Sequence, residues 1–142
     1  MSEAAALRAV FLGHGGMPDG IVDAVRHITG CDPDTIVPIS NRGMSPDALT
    51  AEVQRVLGGG PGIIFTDLAS GSCGFVARRL TQNQVGFVVI SGANLPVLID
   101  FAMNRTLPLQ ELVPRLLSKG RAAMGCAPAH LEDNADRAAS NR

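Results

Sequence analysis

A histidine set among glycines, Gly13-His14-Gly15-Gly16, follows directly on the mostly apolar run Leu7-Arg8-Ala9-Val10-Phe11-Leu12. An imidazole with one bare ring nitrogen is a nucleophile, and glycine neighbours leave it uncrowded while permitting positive φ in a tight loop. The other ring nitrogen must be held as N–H, so that tautomer and orientation are fixed. A carboxylate does this, and it also raises the basicity of the free nitrogen and stabilises positive charge that develops on the ring. Asp67 is the candidate, because it ends a second apolar run, Gly62-Ile63-Ile64-Phe65-Thr66. Just beyond it, Ser70-Gly71-Ser72 stands where a strand should give way to a helix. The free backbone N–H groups of that helix start, with the Ser72 hydroxyl, suit phosphoryl oxygens. The chemistry implied is transfer of a phosphoryl group onto His14, with Asp67 orienting the ring and Ser70, Gly71 and Ser72 receiving the oxygens. Positioning and electrostatics carry such a transfer, so the constellation requires neither metal nor cofactor.

These residues must be brought together by the elements around them. The run before His14 predicts a strand, and Ile21, Val22, Val25 and Ile28 recur behind it with helical spacing. Ile36-Val37-Pro38-Ile39 predicts a second strand, whose proline places it at a sheet edge. Ser45-Pro46-Asp47 opens a helix to about Leu57, with a serine N-cap, proline in first position and an acid facing the positive end of the dipole. The strand ending at Asp67 leads to a helix from about Ser72 to Gln82. Gly86 to Ser91 predicts a fourth strand, and Leu95, Leu98, Ile99 and Ala102 a helix after it. A last helix spans roughly Leu109 to Ala123, bent or delayed by Pro114.

Four alternations of strand and helix predict a doubly wound α/β domain: a mainly parallel sheet, helices on both faces and right-handed crossovers. Active groups in such sheets collect at the carboxyl ends of strands, where strand order reverses. In a flavodoxin-like order 2-1-3-4 the first and third strands are neighbours, and His14 and Asp67 meet over that switch point.

The chain has 142 residues, 18% of them charged, with 12 Lys and Arg against 13 Asp and Glu. That suits one packed domain and argues against nucleic acid as a partner, since no basic stripe stands out. No apolar run reaches the roughly 20 residues of a membrane helix, and the first residues lack a signal-peptide pattern. Cys31, Cys73 and Cys126 are odd in number and widely spaced, which fits neither a disulfide framework nor a zinc ligand set. A cytoplasmic protein is expected. The composition divides the chain into a domain over residues 1–124 and a polar, frayed tail over 125–142.

Plainer readings stand beside these. Singly, His14 could be a surface residue at a strand end, Asp67 a loop cap and Ser72 a helix N-cap. His27 and His130 have no evident partner and should be exposed. Cys31 and Cys73 read as small buried apolar residues, and Met17 and Met44 as either docking surface or core filling. A serine hydrolase using Ser70-Gly71-Ser72-Cys73-Gly74 fits poorly, because the elbow needs glycine at Ser70 and its partners follow in another order. A dinucleotide fingerprint at Gly13, Gly15 and Gly16 lacks its third glycine, Pro18 standing there.

From about Leu7 to Met124 the sequence resembles the mannose-family IIA component of the bacterial sugar phosphotransferase system. Gly13-His14-Gly15 looks like that family's phosphorylation loop, Asp67 like its histidine-orienting aspartate, and Gly71-Ser72 like part of its Gly-Gly-Ser-Pro turn. Ile90-Ser91-Gly92-Ala93-Asn94-Leu95-Pro96 is similar to its strand-four exit, and Gly43-Met44-Ser45-Pro46-Asp47 and Gly120-Arg121 fit in order and spacing. Ser70 stands where the turn has glycine, and Cys73 where it has proline. The resemblance implies a homodimer that exchanges a final strand. It further implies a phosphoryl group received from the phosphocarrier HPr and passed to a separate IIB protein that phosphorylates sugar during uptake. Contact with the membrane would come only through transporter subunits. A stand-alone protein whose phosphorylation signals without moving sugar is the alternative within the family.

Overall fold

In the computed structural model, which describes residues 6–132, strands and helices alternate along most of the chain. The order is β1 (Arg8–Gly13), α1 (Met17–Thr29), β2 (Ile36–Ser40), α2 (Pro46–Leu57), β3 (Gly62–Thr66), α3 (Gly71–Asn83), β4 (Phe87–Ile90), α4 (Leu95–Met103) and α5 (Leu109–Ala122). All strand pairings are parallel and the sheet order is β2-β1-β3-β4. The flavodoxin-like α/β architecture expected from the alternation is therefore present.

Side-chain period explains the layers. Ala9, Phe11, Ile63, Phe65 and Ile90 face one side of the sheet, where they pack with Val22 and Val25 of α1, Val97, Leu98 and Phe101 of α4, and Leu112 and Leu116 of α5. Their strand neighbours Val10, Leu12, Ile39, Ile64 and Phe87 face the other, against Leu49, Val53 and Val56 of α2 and Val76, Ala77 and Leu80 of α3. Alternate residues thus enter opposite cores, as pleating requires. The central strands are covered on both faces and so read as continuous apolar runs. Pro38 costs no ladder donor to a central strand, because β2 is an edge.

Several local readings need adjustment. Ile28, expected on the buried stripe of α1, is 56% exposed. Helix α5 begins at Leu109 and runs through Pro114 without delay. The N-cap of α3 is Ser70 rather than Ser72, so Ser72 lies inside the first turn. Ser45 does cap α2, its hydroxyl accepting from the N–H of Ala48. Among the described residues no strand follows β4. Residues 125–132 are exposed, while 133–142, where the expected tail and any exchanged strand would continue, lie outside the described residues.

Candidate functional site

Because β1 and β3 are adjacent and parallel, with Leu12 opposite Thr66 in register, their two exits open side by side. His14 lies on one exit and Asp67 on the other. The Nδ1 of His14 sits 2.8 Å from Oδ2 of Asp67, and the His14 backbone N–H donates to the same oxygen at 2.9 Å. The second oxygen, Oδ1, accepts from the Leu68 N–H at 2.9 Å. Three N–H groups therefore fix the carboxylate rotamer. An ionised carboxylate can only accept, so the neutral ring presents Nδ1 as the donor and leaves Nε2 bare. The His14 side chain is 41% exposed and that of Asp67 8%, so the ring is reachable while its anchor is not.

Partial burial pushes the Asp67 carboxyl up, but the backbone and ring N–H groups of His14 and the N–H of Leu68 outweigh it and hold the group below its ordinary value. Asp67 is thus ionised throughout the neutral range.

Gly71 brings the start of α3 to the ring. A Cβ built on it would lie 3.5 Å from His14 Nε2, and its φ of 81° is one that L side chains rarely adopt. The bare nitrogen therefore faces the first turn of α3. Ser70 makes no side-chain cap there, in contrast to Ser45 on α2 and Asn94 on α4. The N–H groups at this helix start remain open to an anion, with the dipole favouring negative charge. Ser70, Gly71 and Ser72 are exposed beside it.

The segment between Asp67 and α3 lies close against Gly74, the one buried glycine of that helix. A Cβ at Gly74 would run into the Ala69 carbonyl oxygen and stand 2.7 Å from its carbon. The Arg78 guanidinium donates to that same carbonyl. Alanine would add helix propensity of about 1 kcal/mol, but overpacking against backbone costs about 1–3 kcal/mol. Gly74→Ala is therefore expected to lower the denaturant midpoint, and an unchanged or higher midpoint would show that the Asp67–Ser70 segment swings aside freely.

Sequence reasoning missed the contribution of β2. Its exit places Ser40, Asn41 and Arg42 against the histidine loop: the Ser40 hydroxyl donates to the Gly15 carbonyl at 2.8 Å, the Asn41 N–H to the Gly13 carbonyl at 2.9 Å, and Asn41 Oδ1 accepts from the Gly15 N–H at 3.4 Å. Arg42 lays its guanidinium beside Gly15, where a Cβ would meet it at 3.1 Å. A signal existed in the strand order itself, since both neighbours of β1 must send their exits to the same place. By sequence Cys73 is expected to be a small buried apolar residue. It is indeed fully buried, yet its sulfur, a His14 nitrogen and an Asp67 oxygen fall within 4.8 Å of one another, a grouping among the described residues that could hold a metal ion. Met44 packs partly into the core whereas Met17, next to the site, is 45% exposed. His27 and His130 are exposed and far in sequence from these loops.

The family model for the PTS system fructose IIA component, EIIA-man, matches residues 9–115. The chain belongs to this family. Among solved structures, the phosphotransferase system component EIIA from Streptococcus agalactiae is similar at 25% identity and a TM-score of 0.78, over 84% of this chain and 96% of that one. The mannose/sorbose specific IIA subunit from Enterococcus faecalis is similar at 22% identity and 0.74, over 86% and 95%. The PTS IIA protein associated with the fucose utilization operon from Streptococcus pneumoniae superimposes at 0.74 with 16% identity, over 92% and 99%. No curated protein matches the sequence.

In this EIIA-man chain the remaining motif residues act as supports. Asn94 caps α4 by accepting from the Val97 N–H at 3.1 Å, and its amide donates to the Gly120 carbonyl at 2.9 Å, which ties the start of α4 to the end of α5. The Ala93 N–H continues the sheet by bonding the Thr66 carbonyl at 3.0 Å, one residue before Asp67. Among the described residues no hydrogen bond joins Ser70 or Ser72 to His14, so the contact that a serine hydrolase would use is not made. No helix among them is long and apolar enough to cross a membrane.

Proposed function

We propose that this mannose-family IIA component is a phosphohistidine carrier in which His14 Nε2 is the acceptor atom. The observation that carries the reading is the pair of contacts from Asp67 Oδ2 to the ring and backbone of the same histidine. It leaves one lone pair bare, and Gly71 sets that lone pair toward the start of α3. The Nε2 lone pair attacks phosphorus as the bond to the donor atom breaks, the donor keeping that electron pair. No proton leaves the ring. Nδ1–H stays on Asp67, whose negative charge compensates the positive charge that appears on the imidazole. The N–H groups and the Ser72 hydroxyl at the start of α3 receive the phosphoryl oxygens, with Gly71 and Ser70 shaping the turn.

On this reading the donor is HPr and the recipient a separate IIB protein, the chain working as a cytoplasmic homodimer during sugar uptake. Residues 1–124 make up the IIA domain and 125–142 its tail. Incubation with phosphoenolpyruvate, enzyme I and a cognate HPr is expected to add one acid-labile phosphoryl group per chain, seen by mass spectrometry of the intact protein. Persistent absence of the added mass would leave a regulatory domain with an inert His14.

A further inference from the structure

Phosphoryl transfer as described makes no use of Cys73, although its thiol is buried against the acceptor. The three groups come from three separate pieces of chain: His14 from the exit of β1, Asp67 from the exit of β3, and Cys73 from the first turn of α3. Their ligand atoms nevertheless lie within 4.8 Å of one another. We propose that His14, Asp67 and Cys73 form a binding site for a thiophilic divalent cation of the zinc type, and that its occupancy blocks phosphoryl acceptance.

Donor chemistry selects the cation class. Imidazole and thiolate with a single carboxylate suit zinc and cobalt, whereas magnesium and calcium take oxygen ligands throughout. Charge fits as well, since one thiolate and one carboxylate neutralise a doubly charged ion, and of the side chains that carry those charges Cys73 is fully buried and Asp67 only 8% exposed. Size asks for a small adjustment. Four-coordinate zinc, with bonds of roughly 2.0–2.3 Å, spaces its ligands roughly 3.3–3.8 Å apart. The 2.8 Å contact between ring and carboxylate must therefore open around the ion, and the sulfur, within 4.8 Å of both partners, must close in by roughly 1.5 Å at most. With three protein ligands the fourth position is left to water. Binding forms bonds from the ion to sulfur, nitrogen and oxygen and releases the thiol proton to solvent.

Either ring nitrogen gives the same consequence. An ion on Nε2 covers the accepting atom. An ion on Nδ1 takes the place of the proton there, that proton moves to Nε2, and the lone pair that attacks phosphorus is lost. Linkage makes the effect mutual, so phosphorylated His14 holds the cation less tightly. The family's turn has proline where Cys73 stands, and proline offers no ligand atom. The blockade rests on His14 as phosphoryl acceptor; binding of the cation does not.

Cobalt(II) is titrated into the full chain, freed of metal by chelation, and followed by absorption. The expected result is a thiolate-to-cobalt charge-transfer band that saturates at one equivalent per chain and is erased by zinc. It disappears in Cys73→Ala and persists when Cys31→Ser and Cys126→Ser are combined. Should Cys73→Ala fail to fold, His14→Gln, altered at a half-exposed side chain, is expected to weaken binding and change the visible spectrum. With phosphorylated HPr as donor, stoichiometric zinc is expected to abolish acceptance by the unaltered chain. Chelation restores it, and Cys73→Ala loses the response. A chain without the band, or a band that survives Cys73→Ala, overturns the site. A band with zinc-insensitive acceptance overturns the blockade. The band needs no phosphoryl donor, so a chain that never accepts phosphate still reports whether the site exists.

Discussion

His14→Gln is expected to accept no phosphoryl group from phosphorylated HPr, with the acid-labile mass increase falling below detection while the fold is kept. Glutamine reaches a similar distance and still offers polar atoms toward Asp67, but its amide nitrogen has its lone pair delocalised into the carbonyl and is no nucleophile. The stability cost is small. The ring is 41% exposed, and a second tie of this loop to Asp67, the backbone N–H at 2.9 Å, is left in place by the substitution. Loss of the ring contact amounts to about 1 kcal/mol, so circular dichroism and the denaturant midpoint should stay close to those of the unaltered chain. The measurement separates acceptor from bystander, because His27 and His130 are also exposed and remain available. A label that persists in His14→Gln and maps to either of them would remove His14 from the proposed role.

The parts of this site that follow from short-range physics could be read along the chain. Apolar runs broken by Gly13 and Asp67 define strand ends, Pro38 marks an edge, and alternation sends Phe11 and Val10 into opposite cores. Parallel order then has only one economical way to join His14 to Asp67, over the reversal between β1 and β3. The rest depends on how loops fold against each other at long range. Nothing in Asn41-Arg42 announces that their strand exit will clasp the Gly15 peptide. Gly74 resembles an element of a nucleophile elbow until Ala69 is seen resting on it. Ser70 and Ser72 are both plausible helix caps by type, and only the backbone shows that the cap is Ser70 and makes no side-chain bond. Cys73 is apolar by habit and buried in fact, yet its two polar neighbours, His14 and Asp67, come from the exits of β1 and β3. Ile28 has the spacing of a buried residue, but it falls in the last turn of α1 and is 56% exposed.

Asp67→Ala should slow phosphoryl acceptance by up to roughly 10⁴-fold, the scale seen when the acid that fixes a catalytic histidine tautomer is lost. Water can take over the ring N–H, but it leaves the ring free to rotate and to exchange tautomers, so fewer encounters find Nε2 bare and aimed at α3. Two backbone N–H groups, of His14 and Leu68, also lose an acceptor. The His14 N–H is part-buried and the Leu68 N–H exposed, so the stability loss should be about 1–3 kcal/mol. Asp67→Asn is the sharper test. Both oxygens of Asp67 accept N–H donors, Oδ2 from His14 and Oδ1 from Leu68, and an amide has only one oxygen. If the oxygen faces His14, the amide N–H₂ points at the Leu68 N–H. If it faces Leu68, the N–H₂ opposes the His14 backbone N–H and draws the ring into the tautomer with Nδ1 bare and Nε2 protonated. The isosteric change is therefore expected to rescue little or nothing relative to alanine, measured as initial rates with phosphorylated HPr at saturating and limiting concentrations. An asparagine variant that transferred at the unaltered rate would mean that shape alone suffices at this position, and the negative charge beside the ring would lose its part in the mechanism.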